Sequence, residues 1–319
     1  MSTPPGELGE ELMRLRLALD REIPPKDERR NLLLASWNLR AMEGLTYKWR
    51  SEPGDSPPRD VYAIRCIAEM LSRFDVVALQ GVRGDRSALD AVNRVLGSHR
   101  WDYFLTGPGP VELGASRTAL LFDRRRINPS GMACELVSIP GDSMPWDAFV
   151  RQFAVTPFAA SFHRAGLPFI VLSAPLRYRG VGDGSREDAE RVAGWIAEWA
   201  RDERAAGHGL FLVGELGERC AGEPVYDALA TRGLAVPGQL CRAPRLLADD
   251  KERESDYRQI AWFRPEPDGP PARFALAGCG TFDFSERVML DLGESELAAR
   301  ISDHLPLWVE LRLESELSD

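Results

Sequence analysis

The tightest constraint on this chain is a set of short apolar runs with polar residues at one end. Asn31 to Trp37 (NLLLASW) closes on Asn38. Asp75 to Leu79 (DVVAL) closes on Gln80, and Leu210 to Val213 is followed by Gly214 and Glu215. Tyr257 to Phe263 and Leu305 to Leu311 carry their polar residues at the start, with Asp303 and His304 ahead of the last run. Runs this short between charged or turn-forming residues read as buried strands. Trp101 to Leu105, Thr118 to Phe122, Phe158 to Phe162 and Phe169 to Ser173 add strands, the last two joined by a turn at Ala165-Gly166. Between them the apolar spacing turns helical: Glu7 to Glu22 with Leu8, Leu12, Leu15 and Leu19, then Arg59 to Phe74, Ser87 to Leu96 and Ser185 to Ala206. Pro57-Pro58 stands where a helix start tolerates proline. The charged run Asp249 to Ser255 reads as a solvated loop. Strands and helices interleaved over the whole length make one domain the simplest account. The expected division is a helical extension over 1–30, the main domain over 31–313 and a tail over 314–319.

The bulk numbers exclude several classes. An apolar fraction of 44% suits a globular core, and no run approaches the length of a membrane span, so a cytoplasmic protein without membrane association is expected. Cys66, Cys134, Cys220, Cys241 and Cys279 are scattered with no C-x-x-C pair, which argues against a disulfide framework and against a zinc cluster. A net charge of −9 lacks the broad positive field of a non-specific nucleic-acid binder, so nucleic acid is a disfavoured partner. Lysine stands only at Lys26, Lys48 and Lys251, and this arginine bias reads as a GC-rich bacterial genome. His99, His163 and His208 show no ligand spacing and read as surface or structural residues.

The polar strand ends, taken in order, carry a resemblance. SWN (Ser36 to Asn38), LQGVRG (Leu79 to Gly84), VGELGER (Val213 to Arg219), YRQIAWF (Tyr257 to Phe263) and SDHLPLWVEL (Ser302 to Leu311) together resemble the motif series of the endonuclease/exonuclease/phosphatase family. The resemblance spans roughly Asn31 to Leu313. It implies a DNase I-like α/β fold, a four-layer sandwich of two packed β-sheets flanked by helices, with the site where the strand-end loops meet. It also implies hydrolysis of phosphoric esters by water, with a divalent cation, usually Mg²⁺, held by an oxygen-rich cluster.

Compared residue by residue, the site is eroded. Asn38, Asp303 and His304 match the pattern. Gly81 stands where the family carries its metal-binding glutamate, and Pro175 where it carries a histidine. Glu215 and Gly217 replace an aspartate and an asparagine, Val155 replaces an arginine, and Arg258 replaces an aspartate beside Tyr257. The remnant metal ligands are therefore Asn38 and Glu215, and the remnant catalytic residues Asp303, His304 and Glu215. Arg258, Tyr257 and Arg83 are candidates for holding an anion, and Arg258 is expected to neutralise the remnant carboxylates. The Asp303-His304 pair can equally serve only to hydrogen-bond loops together.

Three functions follow. The first is a pseudoenzyme acting as a binding or scaffold subunit with a protein partner and no cofactor. The second is a Mg²⁺-dependent phosphodiesterase or phosphatase with a rebuilt site. The third is a metal-free module for phosphate or a nucleotide.

Overall fold

The structure, a computed structural model, describes residues 5–107, 116–137, 144–145, 148, 153, 155–174, 186–215, 224–240, 243, 246–247, 258–263 and 273–314. Among them the strands form two sheets of six. The first contains β1 (Asn31–Met42), β2 (Val76–Val82), β3 (Trp101–Leu105), β4 (Arg117–Asp123), β11 (Phe274–Thr281) and β12 (Leu307–Leu313), in the order β11-β12-β1-β2-β4-β3. The second contains β5 (Ile127–Glu135), β6 (Phe158–Arg164), β7 (Leu167–Ser173), β8 (Gly209–Glu215), β9 (Leu234–Ala235) and β10 (Arg258–Phe263), in the order β5-β6-β7-β8-β10-β9.

Both sheets place a parallel pair at their centre, β1 with β2 and β7 with β8, and pair antiparallel elsewhere. A parallel pair needs a crossover. Helix α2 (Val61–Leu71) supplies the first and α4 (Arg186–Ala205) the second. The other helices are α1 (Gly6–Glu22), α3 (Ser87–Leu96), α5 (Pro224–Ala230) and α6 (Glu294–Arg300).

Strand alternation sorts the apolar side chains into layers. Leu32 and Leu34 of β1 join Val76, Ala78, Phe162, Val171 and Val213 in the core between the sheets. Leu33, Ala35 and Trp37 of the same strand turn the other way, onto Leu15 and Leu19 of α1, Ile64 and Ile67 of α2 and Leu89 of α3. On the far face of the second sheet, Ile170, Leu172 and Leu212 pack against Val192, Ala193 and Ile196 of α4. Helices, sheet, sheet and helices make the four layers that the motif series implied. A chain of rings runs through the middle, Phe104 to Phe122 at 5.3 Å, Phe122 to Phe162 at 5.4 Å and Phe162 to Phe169 at 5.6 Å between centroids, within the range where aromatic pairs attract.

Several expectations needed correction. Helix α2 starts at Val61, because Asp60 caps it by accepting the Ala63 N–H at 2.8 Å; Pro57-Pro58 lie ahead of it, and it stops at Leu71 short of Phe74. Strand β10 starts at Arg258, while Tyr257, Pro175, Gly217 and the run 249–255 lie outside the described residues. Strands β5 and β11 were missed. Both are edge strands with mostly exposed or half-exposed residues, and an edge strand need not show the alternation that reveals a buried one. Pro129 sits in β5, where an edge tolerates it.

An ionic cluster holds the starts of β1 and β2. Lys26 lies 3.7 Å from Asp75 and 3.2 Å from Asp123, with its ammonium 4.8 Å from the centre of the Trp101 ring. Burial pushes the Lys26 amine down to about 8, against the opposing pull of Asp75 and Asp123. A lysine whose folded value lies below its unfolded value favours the folded state above the unfolded value. That contribution is lost as pH falls through the folded value. Lys26 therefore adds stability as pH rises from about 8 towards about 10.4. Urea denaturation of wild type and Lys26→Met at pH 8 and pH 10 should show wild type gaining on the variant. An equal difference at both pH values would count against this assignment.

Candidate functional site

The topology brings one set of strand ends together. Asn38 and Gly81 lie near the C-terminal ends of the parallel strands β1 and β2. Strand β12 runs antiparallel to β1, so Asp303 and His304, just before it, reach the same rim. In the second sheet, Glu215 ends β8 and Arg258 opens β10, and the register sets the two directly opposite each other. Strand β10 approaches β1 and β12 across the sandwich.

The β1 rim is irregular. The pairing of β1 with β2 slips between Asn38 and Met42, and that of β2 with β4 between Leu79 and Val82. Arg40 and Ala41 have φ of 36° and 50°, the left-handed region that residues with a Cβ seldom enter. The Asn38 side chain holds this bulge, its Oδ1 accepting the Arg40 N–H at 2.8 Å. Gly81, with φ of 75°, packs against it. A Cβ on Gly81 would lie 2.5 Å from Asn38 Oδ1 and 2.9 Å from the Arg40 nitrogen. The sequence comparison read Gly81 as a lost ligand. The structure adds that no side chain fits there while the bulge stands.

The bulge points Arg40 at Asp303. Its guanidinium donates to Asp303 Oδ2 at 2.6 Å, while Asp303 Oδ1 lies 2.6 Å from His304 Nδ1. Burial tends to raise the Asp303 carboxyl, but the His304 hydrogen bond and the charges of His304 and Arg40 outweigh it and hold it below the usual range. The backbone around the pair is fixed. Trp37 Nε1 donates to the His304 carbonyl at 2.7 Å, the His304 N–H donates to Ser302 Oγ at 3.0 Å, and Ser302 Oγ donates to the Asn38 carbonyl at 2.7 Å. The His304 side chain is only 7% exposed.

A cleft of about 690 Å³ opens beside Arg40 and Asp303, between the β1 bulge, the 57–59 segment and α6. Arg59 lines it, although its side chain is buried. The Arg59 guanidinium donates to the carbonyls of Leu39 and Ala41 in the bulge and of Arg300 and Ile301 at the end of α6. Burial lowers it to about 10, against the opposing charge of Glu43, so it remains a cation at neutral pH. Arg59 thus ties the bulge to the C-terminal carbonyls of a helix, where cations are favoured. Sequence reasoning missed both Arg40 and Arg59. An arginine two residues past a strand-end asparagine shows its role only once the left-handed turn is seen.

The described residues do not fit a hard divalent cation. Such an ion takes oxygen ligands, commonly one or two carboxylates with water. Asn38 Oδ1 already accepts a backbone N–H, Asp303 Oδ2 accepts from Arg40 while its Oδ1 lies 2.6 Å from His304 Nδ1, and Gly81 offers nothing. No group of three or more His, Cys, Asp or Glu among the described residues is arranged to hold a metal. Of the other predicted positions, Arg83 follows β2 with its N–H on the Met42 carbonyl at 3.1 Å, and Val155 stands half-buried ahead of β6. The side chains of Glu215 and Arg258 lie outside the description. Among the described side chains, the cation beside Asp303 is Arg40.

No family model matches the chain, and no curated protein matches it. Solved structures do. An endonuclease/exonuclease/phosphatase family protein from Bacteroides thetaiotaomicron matches with a TM-score of 0.58 at 17% identity, over 91% of this chain and 98% of its own. The human Nocturnin catalytic domain with bound sulfate matches with 0.55 at 15%, over 91% and 97%. A Bacteroides thetaiotaomicron mannosyl-6-phosphatase matches with 0.53 at 16%, over 88% and 99%. At these identities the likeness establishes the DNase I-like fold of the endonuclease/exonuclease/phosphatase structures and leaves function to the residues.

Proposed function

We propose that this chain is a non-catalytic binding protein built on the DNase I-like fold, working without a metal and engaging a protein partner in the cytoplasm. The observation that carries the reading is the closed contact among Gly81, Asn38 and Arg40. The position that the resemblance assigns to a metal-binding glutamate has no room for a side chain, and the neighbouring amide oxygen is committed to the backbone. The likeness to a mannosyl-6-phosphatase and to other structures of this fold supports a phosphoesterase-type ancestry, not a retained activity. Among the described residues no helix is long and apolar enough to cross a membrane.

The test is turnover of a phosphodiester, a phosphomonoester and single-stranded DNA, each with Mg²⁺, with Mn²⁺ and with chelator. Rates at the uncatalysed background in every condition are expected. The preserved Asp303-His304 contact favours the rebuilt hydrolase as the second reading. Chelator-sensitive turnover that falls about a hundredfold or more in His304→Ala, the scale of a general acid or base, would establish that reading instead.

A further inference from the structure

We propose that Arg40 is the resident cation of this rim, taking the electrostatic place of a metal ion beside Asp303. The inference rests on the metal-free reading above and goes past it by naming the group that makes the site complete without metal. Three linked features converge on it. Arg40 and the residue after it both sit at positive φ, a conformation an arginine adopts only when its surroundings impose it. Two devices impose it here: the Asn38 side chain on the Arg40 N–H, and the buried Arg59 guanidinium on the carbonyls that flank Arg40, those of Leu39 and Ala41. The result of that local arrangement is a guanidinium 2.6 Å from an oxygen of the carboxylate that also faces His304.

The chemistry is consistent. A carboxylate only 15% exposed requires a positive partner. A guanidinium is charged at every accessible pH, needs no binding equilibrium and satisfies oxygen lone pairs by donating to them. Arg40 itself is about half-exposed, at 49%, and lines the cleft, so the compensating charge faces solvent rather than the core. It follows that Arg40 is one of the features that keep this rim free of metal, and that replacing it uncovers a cation site beside Asp303.

The test is a titration of Mn²⁺, followed by the loss of the free-ion spin resonance signal and by thermal stabilisation, into wild type, Arg40→Ala, Arg40→Asp and Arg40→Lys. Aspartate tolerates the left-handed conformation better than arginine does, so Arg40→Asp tests the site without added backbone strain. It also sets a second carboxylate against Asp303. Wild type and Arg40→Lys should bind no Mn²⁺ below millimolar. Arg40→Ala should gain, and Arg40→Asp should bind at least about tenfold more tightly than wild type, because affinity for hard cations follows the carboxylate count. Asp303→Asn added to Arg40→Asp should abolish the gain. If Arg40→Ala and Arg40→Asp, both folded by circular dichroism, bind no more tightly than wild type, the inference is wrong while the metal-free reading stands. If wild type itself binds Mn²⁺ tightly, that reading falls and the inference with it.

Discussion

Gly81→Glu, the substitution that would restore the family residue, is expected to lower the unfolding free energy by about 3 kcal/mol and to restore no metal binding. Two costs add. Any Cβ at a φ of 75° meets the steric penalty of the left-handed region, about 1–2 kcal/mol for residues other than glycine. The new Cβ would also stand 2.5 Å from Asn38 Oδ1, displacing that oxygen from the Arg40 N–H it accepts at 2.8 Å. Losing that exposed hydrogen bond costs roughly 1 kcal/mol more. Gly81→Ala carries most of the same penalty, since the conflict lies at Cβ. Urea denaturation of the two variants checks this. Near-equal destabilisation places the cause in the backbone, whereas a destabilised glutamate variant beside an unaffected alanine variant would place it in the buried charge. A glutamate variant as stable as wild type that binds Mn²⁺ would show that the β1 bulge rearranges freely, and the proposed function would lose its support.

This result also bears on what was legible in the sequence. The central strands were readable because each is buried on both faces: NLLLASW and DVVAL are near-continuous apolar runs, and the parallel pairs at the sheet centres make them so. The helices were readable from their stripes, Leu8, Leu12, Leu15 and Leu19 in α1 for example. Strands β5 and β11 were not, because edge strands are fixed by one neighbour and their exposed positions carry no required residue type. At the rim, residue identities set the expectation of lost ligands at Gly81 and Pro175, the second outside the described residues, but carried none of the geometry. Gly81 suits a glycine because Asn38 and Arg40 leave no room for a Cβ there, a long-range constraint between β1 and β2 that no local pattern carries. Arg40 was overlooked for the same reason. The motif series drew attention to Arg258 and carried no sign that a bulge at the end of β1 delivers Arg40 to Asp303.

The largest effect on stability is expected far from this rim, at Asp75→Ala, which should cost about 3–5 kcal/mol, the scale of breaking a buried ion pair by removing one partner. Asp75 is fully buried at the start of β2. Its Oδ2 accepts the Leu33 N–H at 2.9 Å, which ties β2 to β1, and its two oxygens accept Arg126 Nε at 2.5 Å and an Arg126 terminal nitrogen at 3.1 Å. Arg126 reaches on to the carbonyls of Asp27 and Asn31 at 2.7 and 3.1 Å, and Arg164 of β6 donates to the same two carbonyls. One carboxylate thus anchors a network that joins the two sheets at the ends opposite Asn38 and Gly81. Deleting it leaves a strand N–H and a guanidinium without their anion, and the cost is mainly that of the orphaned groups. Two comparisons isolate that cause. Asp75→Asn keeps the shape and an acceptor and should cost less than the alanine variant. Asp75→Ala combined with Arg126→Met should be less unstable than the sum of the single variants, because the second change removes the stranded charge. Strict additivity, or an alanine variant within about 1 kcal/mol of wild type, would mean that solvent reaches this end of the sandwich and that the network is not what couples the sheets.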